Sequence, residues 1–169
     1  MPRTITLISL IIILLALAAC SENYPEVDWE LTIDGDVNQP VTYTYQDLVK
    51  LRRAKLTDIL TQNPENPNET TSWEGVTLFL LLRNPGGAQY TVQSWGQVTL
   101  ADGSRRRISL SSLRGALIAL KDGDGNWLAE TSDAPIRLIA PILPSSDWVD
   151  GPVRITVHGP QPTPTPPSQ

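Results

Sequence analysis

Residues 70–87 read TTSWEGVTLFLLLRNPGG. Trp73-Glu74-Gly75-Val76 reads as a turn, Thr77–Arg83 as the short helix it opens, and Pro85-Gly86-Gly87 as the stop, since neither proline nor glycine favours continuing a helix. That helix is apolar on nearly every side, and a helix without a polar face is stable only when it is packed all round. The rest of the chain has to supply the packing.

On the N-terminal side, Trp29–Ile33 alternates with period two and ends at Asp34-Gly35, the pattern of a half-buried strand and its turn. Thr44 and Asp47 have capping-box spacing ahead of Leu48 and Leu51, which predicts a second short helix. Ala54–Gln62 reads as a strand, and Asn63–Thr71, with Pro64, Pro67 and three asparagines, as a loop. On the C-terminal side, Tyr90–Trp95 and Gln97–Leu100 read as strands, with a hairpin turn at Asp102-Gly103 before Arg107–Leu110. Ala116–Leu120 is an apolar strand, Asp122–Gly125 a tight turn into Trp127, and Pro135–Pro141 and Val153–Val157 close the domain. Many strands, tight hairpins and only two helices predict an α+β domain on a mixed sheet, not a doubly wound one.

The ends read differently from this body. Arg3, the apolar run Ile5–Leu17 and the small residues before Cys20 have the layout of an export signal. The run is about 13 residues, too short to cross ~30 Å of hydrocarbon as a finished helix. Leu17-Ala18-Ala19-Cys20 resembles the bacterial lipobox. That resemblance implies removal of residues 1–19, acylation of Cys20 and anchoring of the mature chain outside the cytoplasm of a bacterial cell, on one of its envelope membranes. Residues 20–27 would be the lipidated N-terminus and linker, 28–158 the globular domain, and 159–169, rich in proline and threonine, a disordered tail. Cys20 is the only cysteine, so an internal disulfide and a cysteine-based metal cluster are excluded. The formal charge of −5, which loss of Arg3 with the leader takes to −6, argues against nucleic acid as a partner.

Several phrases together carry a further resemblance. Trp29-x-Leu-x-Ile-x-Gly35, Asp47-Leu48, Trp73-Glu-Gly-Val-x-Leu78, Asp102-Gly103, Asp122-Gly123, Pro135-Ile-Arg-Leu-Ile-Ala-Pro141, Trp148-Val149 and Arg154-Ile-x-Val157 occur in an order that resembles the sulfite oxidase-type molybdopterin-binding domain, over about residues 28–158. The resemblance implies a mixed α+β fold with a barrel-like sheet and, in the family's enzymes, a molybdenum cofactor that moves oxygen atoms. It also implies a cysteine thiolate on the metal, placed after the strand that precedes Trp-x-Gly-Val. Here Thr57–Thr71 contains no cysteine, and Asp58 or Thr61 would be a poor substitute for a soft thiolate. Members of this family that act outside the cytoplasm use a twin-arginine signal, whereas only Arg3 precedes this apolar run. The expectation is therefore a non-catalytic module without cofactor that binds a small ligand or an envelope protein. The alternative is a molybdopterin-dependent oxidoreductase acting on small oxo-anions or sulfoxides.

Trp73, Arg105, Arg106, Arg107 and Arg137 are the candidate cofactor- or ligand-binding residues. The arginine run Arg105–Arg107 beside a hairpin suits an anion, or a solvated edge that discourages sheet-to-sheet pairing. Arg137 suits a pocket, or an ion pair beneath a loop. Trp73 and Trp148 read as core that can also line a cleft. Asp122, Asp124, Asn126, Glu130 and Asp133 have calcium-loop spacing, but Trp127 stands where the loop needs glycine, so they read as a plain turn. His158, the sole histidine, allows no histidine-rich metal site and no serine triad. No catalytic or metal-ligating residue is predicted.

Overall fold

The computed structural model describes residues 23–83 and 94–159. The signal segment, Cys20, most of the Tyr90–Trp95 strand, the Pro85–Gly87 stop and the tail from Pro160 lie outside the described residues. Among the described residues, ten strands form two five-stranded sheets. The first has the order β2 (Val41–Thr44), β1 (Glu30–Gly35), β10 (Pro152–His158), β5 (Trp95–Leu100) and β6 (Arg105–Ser109). The second has the order β3 (Ala54–Leu60), β4 (Thr70–Thr77), β7 (Leu117–Lys121), β8 (Arg137–Ile139) and β9 (Val149–Asp150). Among the described residues only β1 and β10 pair in parallel; the other ladders are antiparallel.

Alternation puts Leu31 and Ile33 of β1, Val98 of β5, and Ile155 and Val157 of β10 into one shared core, while Leu117–Leu120 of β7 are buried on both faces. The mixed α+β class is as read from the sequence, but the sheets do not close into a barrel. Their edges stay open at β6, where three exposed arginines stand, and at β3, where the register slips between Leu56 and Ile59 and Asp58 takes the left-handed φ of 51°.

The decisive stretch is a strand where a turn was expected. Trp73–Val76 lies inside β4, hydrogen-bonded to β3 on one side and β7 on the other. Gly75 is required by close approach, since a Cβ there would stand 2.0 Å from the Ile118 carbonyl oxygen. The strand runs straight into α2 (Leu78–Arg83), whose first amide donates to the Ala116 carbonyl at 2.9 Å. This helix is not buried all round: Leu78, Leu81 and Leu82 face the core, while Phe79 is 57% exposed. Six residues make under two turns, so the inward positions follow i, i+3, i+4 whatever the outer residues are.

Upstream, α1 (Tyr45–Lys50) carries the expected capping box, with Thr44 Oγ1 accepting from the Asp47 amide at 3.1 Å and the Asp47 carboxylate accepting from the Thr44 amide at 3.0 Å. A third helix, α3 (Leu128–Thr131), was not anticipated, because one turn leaves no periodic signal. Among the described residues no helix is long and apolar enough to cross a membrane.

Candidate functional site

The site is built where β3 ends. Leu60 is the last residue of that strand, and Thr61, 6% exposed, follows it directly. Gln62 then takes a left-handed φ of 52°, an uncommon state for a side chain of its size, which reverses the chain and keeps Thr61 pointing inward. The 61–69 loop is tied down: the Thr61 amide donates to the Glu69 carbonyl at 3.0 Å, and the Glu69 amide to the Asn66 carbonyl at 3.0 Å. Its side chains converge on one carboxylate. Thr61 Oγ1 donates to Glu69 Oε2 at 3.2 Å, and Asn63 Nδ2 donates to the same oxygen at 3.0 Å.

A second loop closes over the first. The Ser145 amide donates to the Thr61 carbonyl at 2.8 Å, and Trp148 Nε1 donates to the carbonyls of Ala140 (3.1 Å) and Leu143 (3.3 Å). Trp73 from β4 meets Trp148 edge-on, with ring centroids 6.1 Å apart at 89°. Arg137 of β8 pairs with Asp150, its cross-strand neighbour in β9, and its guanidinium lies 5.2 Å from the Trp73 ring centroid. These elements enclose a cleft of about 390 Å3, with Thr61, Glu69, Trp73, Arg137, Trp148 and Asp150 among its walls. Trp73 is 8% exposed, yet its Nε1–H is buried without an acceptor.

Of the residues predicted to bind, Trp73 and Arg137 meet in this cleft, and Arg137 does both things weighed for it: it faces the pocket and pairs with a carboxylate. Arg105, Arg106 and Arg107 do not join them. They lie on β6, an edge of the other sheet. Thr61 lines the cleft, whereas Asp58 is exposed at the β3 irregularity and does not. Sequence reasoning missed Asn63, Glu69, Ser145 and Asp150. The β8–β9 pairing that brings Asp150 to Arg137 joins strands of three and two residues, too short to carry a pattern. The calcium-like spacing is a turn, in which the Asp122 carboxylate accepts from the amides of Asp124 (3.0 Å) and Asn126 (2.9 Å). Among the described residues no three His, Cys, Asp or Glu side chains converge so as to hold a metal ion.

The cleft offers hard oxygen donors and two carboxylates, one neutralised by Arg137. Thr61 is the first residue after β3, within the Thr57–Thr71 stretch where the family resemblance implies the thiolate of a molybdenum centre, and its hydroxyl is committed to Glu69. That donor set does not fit such a centre.

No curated protein matches the sequence. Among solved structures, the chain is similar to the sulfane dehydrogenase SoxCD from Paracoccus pantotrophus, with a TM-score of 0.62 and 19% identity over 81% of this chain. It spans 40% of that chain, and at this identity the likeness is one of fold. The family model for the oxidoreductase molybdopterin binding domain matches residues 20–162. With that match over nearly the whole chain, and the two-sheet fold it shares with SoxCD, the chain belongs to the oxidoreductase molybdopterin binding domain family.

Proposed function

We propose that this member of the family is a non-catalytic binding module, lipid-anchored through Cys20 on the outer side of a bacterial membrane, that holds a small polar ligand in the Trp73–Arg137–Trp148 cleft. The observation that carries the reading is Thr61. It follows β3, in the cysteine-free stretch where the resemblance implies a thiolate, and its hydroxyl and the Asn63 amide both serve the Glu69 carboxylate. A metal entering here would have to displace that network and would gain only oxygen donors in return. A small ligand needs no such displacement. The cleft presents aromatic edges, an arginine already oriented by Asp150, a carboxylate, and the buried Trp73 N–H that a ligand acceptor would satisfy once the side chains adjust.

The reading is tested on protein isolated from its native membrane. It predicts far less than one molybdenum per chain, no extractable pterin and no turnover of sulfite or sulfoxides. Stoichiometric molybdopterin with such turnover would favour the oxidoreductase alternative.

A further inference from the structure

The charges in the Trp73 cleft do not balance. Its titratable walls are Glu69, Arg137 and Asp150, two carboxylates against one guanidinium. Arg137 pairs with Asp150, which leaves the Glu69 carboxylate without a cationic partner among the described residues. We propose that the cleft binds a small organic amine that also carries a hydrogen-bond acceptor, of the amino alcohol class, with its ammonium group at Glu69 and its oxygen at the Trp73 N–H. This names the ligand class for the binding function proposed above and rests on that reading.

Glu69 is held from one side and open on the other. Its Oε2 accepts from Thr61 Oγ1 at 3.2 Å and from Asn63 Nδ2 at 3.0 Å, whereas Oε1 has no partner among the described residues. The two bonds orient the carboxylate before a ligand arrives, so less freedom is lost when one docks. An ammonium group brings donors, no acceptor and a compensating charge, and its hydrogen bond to a carboxylate is stronger than that of a neutral hydroxyl. An anion would instead add to the surplus negative charge. The Trp73 ring is not where the ligand's cation goes, because the Arg137 guanidinium already lies 5.2 Å from its centroid.

The second half of the ligand follows from the indole N–H groups. Trp148 Nε1 donates to the carbonyls of Ala140 and Leu143. Trp73 is 8% exposed, and its Nε1–H is buried without an acceptor. A buried donor without a partner is costly, and a ligand oxygen that meets it once the side chains adjust recovers that cost. A simple alkylamine would answer the charge and leave this donor unmet. A neutral polyol would meet the donor and leave the charge.

Small probes of nearly one size separate these contributions. Ethanolamine carries both groups, propylamine the cation alone, ethylene glycol the hydroxyls alone, and glycolate an anion in the cation's place. Each is titrated into the purified full chain in detergent micelles at low ionic strength, while the tryptophan Nε1–H signals are followed by NMR. The Trp73 signal is identified by its loss in Trp73→Phe. It should move saturably with ethanolamine, about ten-fold tighter than with ethylene glycol and about three-fold tighter than with propylamine, as for one charge-assisted and one neutral hydrogen bond. Glycolate should not saturate. Glu69→Gln keeps an oxygen for Thr61 and Asn63, and should erase the preference for ethanolamine over ethylene glycol. Trp73→Phe, read at the Trp148 signal, should erase its preference over propylamine. If a variant does not fold, salt answers on the unaltered chain. Glu69 is exposed, so raising ionic strength from ~0.01 to ~0.15 M should weaken ethanolamine and leave ethylene glycol unchanged. Ethylene glycol or glycolate binding as tightly as ethanolamine overturns the amine assignment while the binding module stands. Propylamine binding as tightly, or no saturable response to any probe, also overturns the proposal. Stoichiometric molybdopterin in the native protein would instead remove the reading on which it rests.

Discussion

Replacing Trp73 by alanine probes both the fold and the cleft, because the ring belongs to each. It is 8% exposed, is set opposite Leu56 across the β3–β4 ladder, meets Trp148 edge-on and lies under Arg137. Truncating a buried tryptophan costs ~3–5 kcal/mol, and losing the edge-on aromatic pair accounts for ~0.5–1.5 kcal/mol of geometry beyond area. Against this, the variant removes a buried N–H that has no acceptor, a group whose burial costs ~1–3 kcal/mol. The balance is a loss of about 3–4 kcal/mol, which at ~2–4 °C per kcal/mol is a fall in Tm of roughly 6–16 °C. Trp73→Phe separates the two contributions. It keeps an aromatic ring against Trp148 and discards the orphaned donor, so it should cost under about 2 kcal/mol. Urea unfolding followed by far-UV circular dichroism measures both variants, with unchanged slopes required for the comparison. A cost below about 1 kcal/mol for Trp73→Ala would mean that the ring is not packed as described. A phenylalanine variant as damaged as the alanine variant would mean that the indole N–H has a partner.

Gly75→Ala should destabilise by at least about 3 kcal/mol or prevent folding, because its Cβ would meet the backbone of β7 at Ile118 and not a side chain that can move; a soluble variant with wild-type unfolding midpoint would refute that close approach. Burial, with a smaller contribution from Glu130, pushes the Tyr45 phenol up to about 12. A folded-state pKa above the unfolded one contributes stability that is complete below about pH 10 and is lost as pH rises through about 12. Unfolding midpoints should therefore fall across that alkaline window, less so in Tyr45→Phe, and an identical fall in both proteins would remove the assignment. Cys20→Ala should yield a chain without fatty acid and with its first 19 residues retained, read by mass spectrometry; a wild-type chain free of lipid would remove the anchoring proposal.

How much of this was legible depended on the range of the interaction that set each feature. The capping box at Thr44 and Asp47 is complete within four residues, and it is present as read. Trp-Glu-Gly-Val was correctly singled out but misassigned, because glycine beside a helix start looks like a turn until a neighbouring strand is known to press on it. The same holds for the site. Trp73 and Arg137 could be named from their flanking residues, but Glu69, Ser145 and Asp150 join them only through loop closure and a two-residue strand. The arginine run looked like one feature, but period-two alternation along the edge strand sets Arg106 in register with Val98 and its neighbours on the opposite face, all three exposed.

The central claim is that this cleft has the family's fold without the chemistry that retains molybdenum, and it is tested most directly by removing delivery as a variable. The chain lacking residues 1–19 is produced in a cytoplasm competent to make and insert molybdopterin, beside a family enzyme that retains its cysteine as positive control. Molybdenum and pterin per folded chain are then measured. The control should load near one per chain, and this chain should stay far below one while remaining folded, because Thr61 and Glu69 supply no thiolate at the end of β3. Stoichiometric molybdopterin in the folded chain would contradict the account and make the oxidoreductase reading the better one.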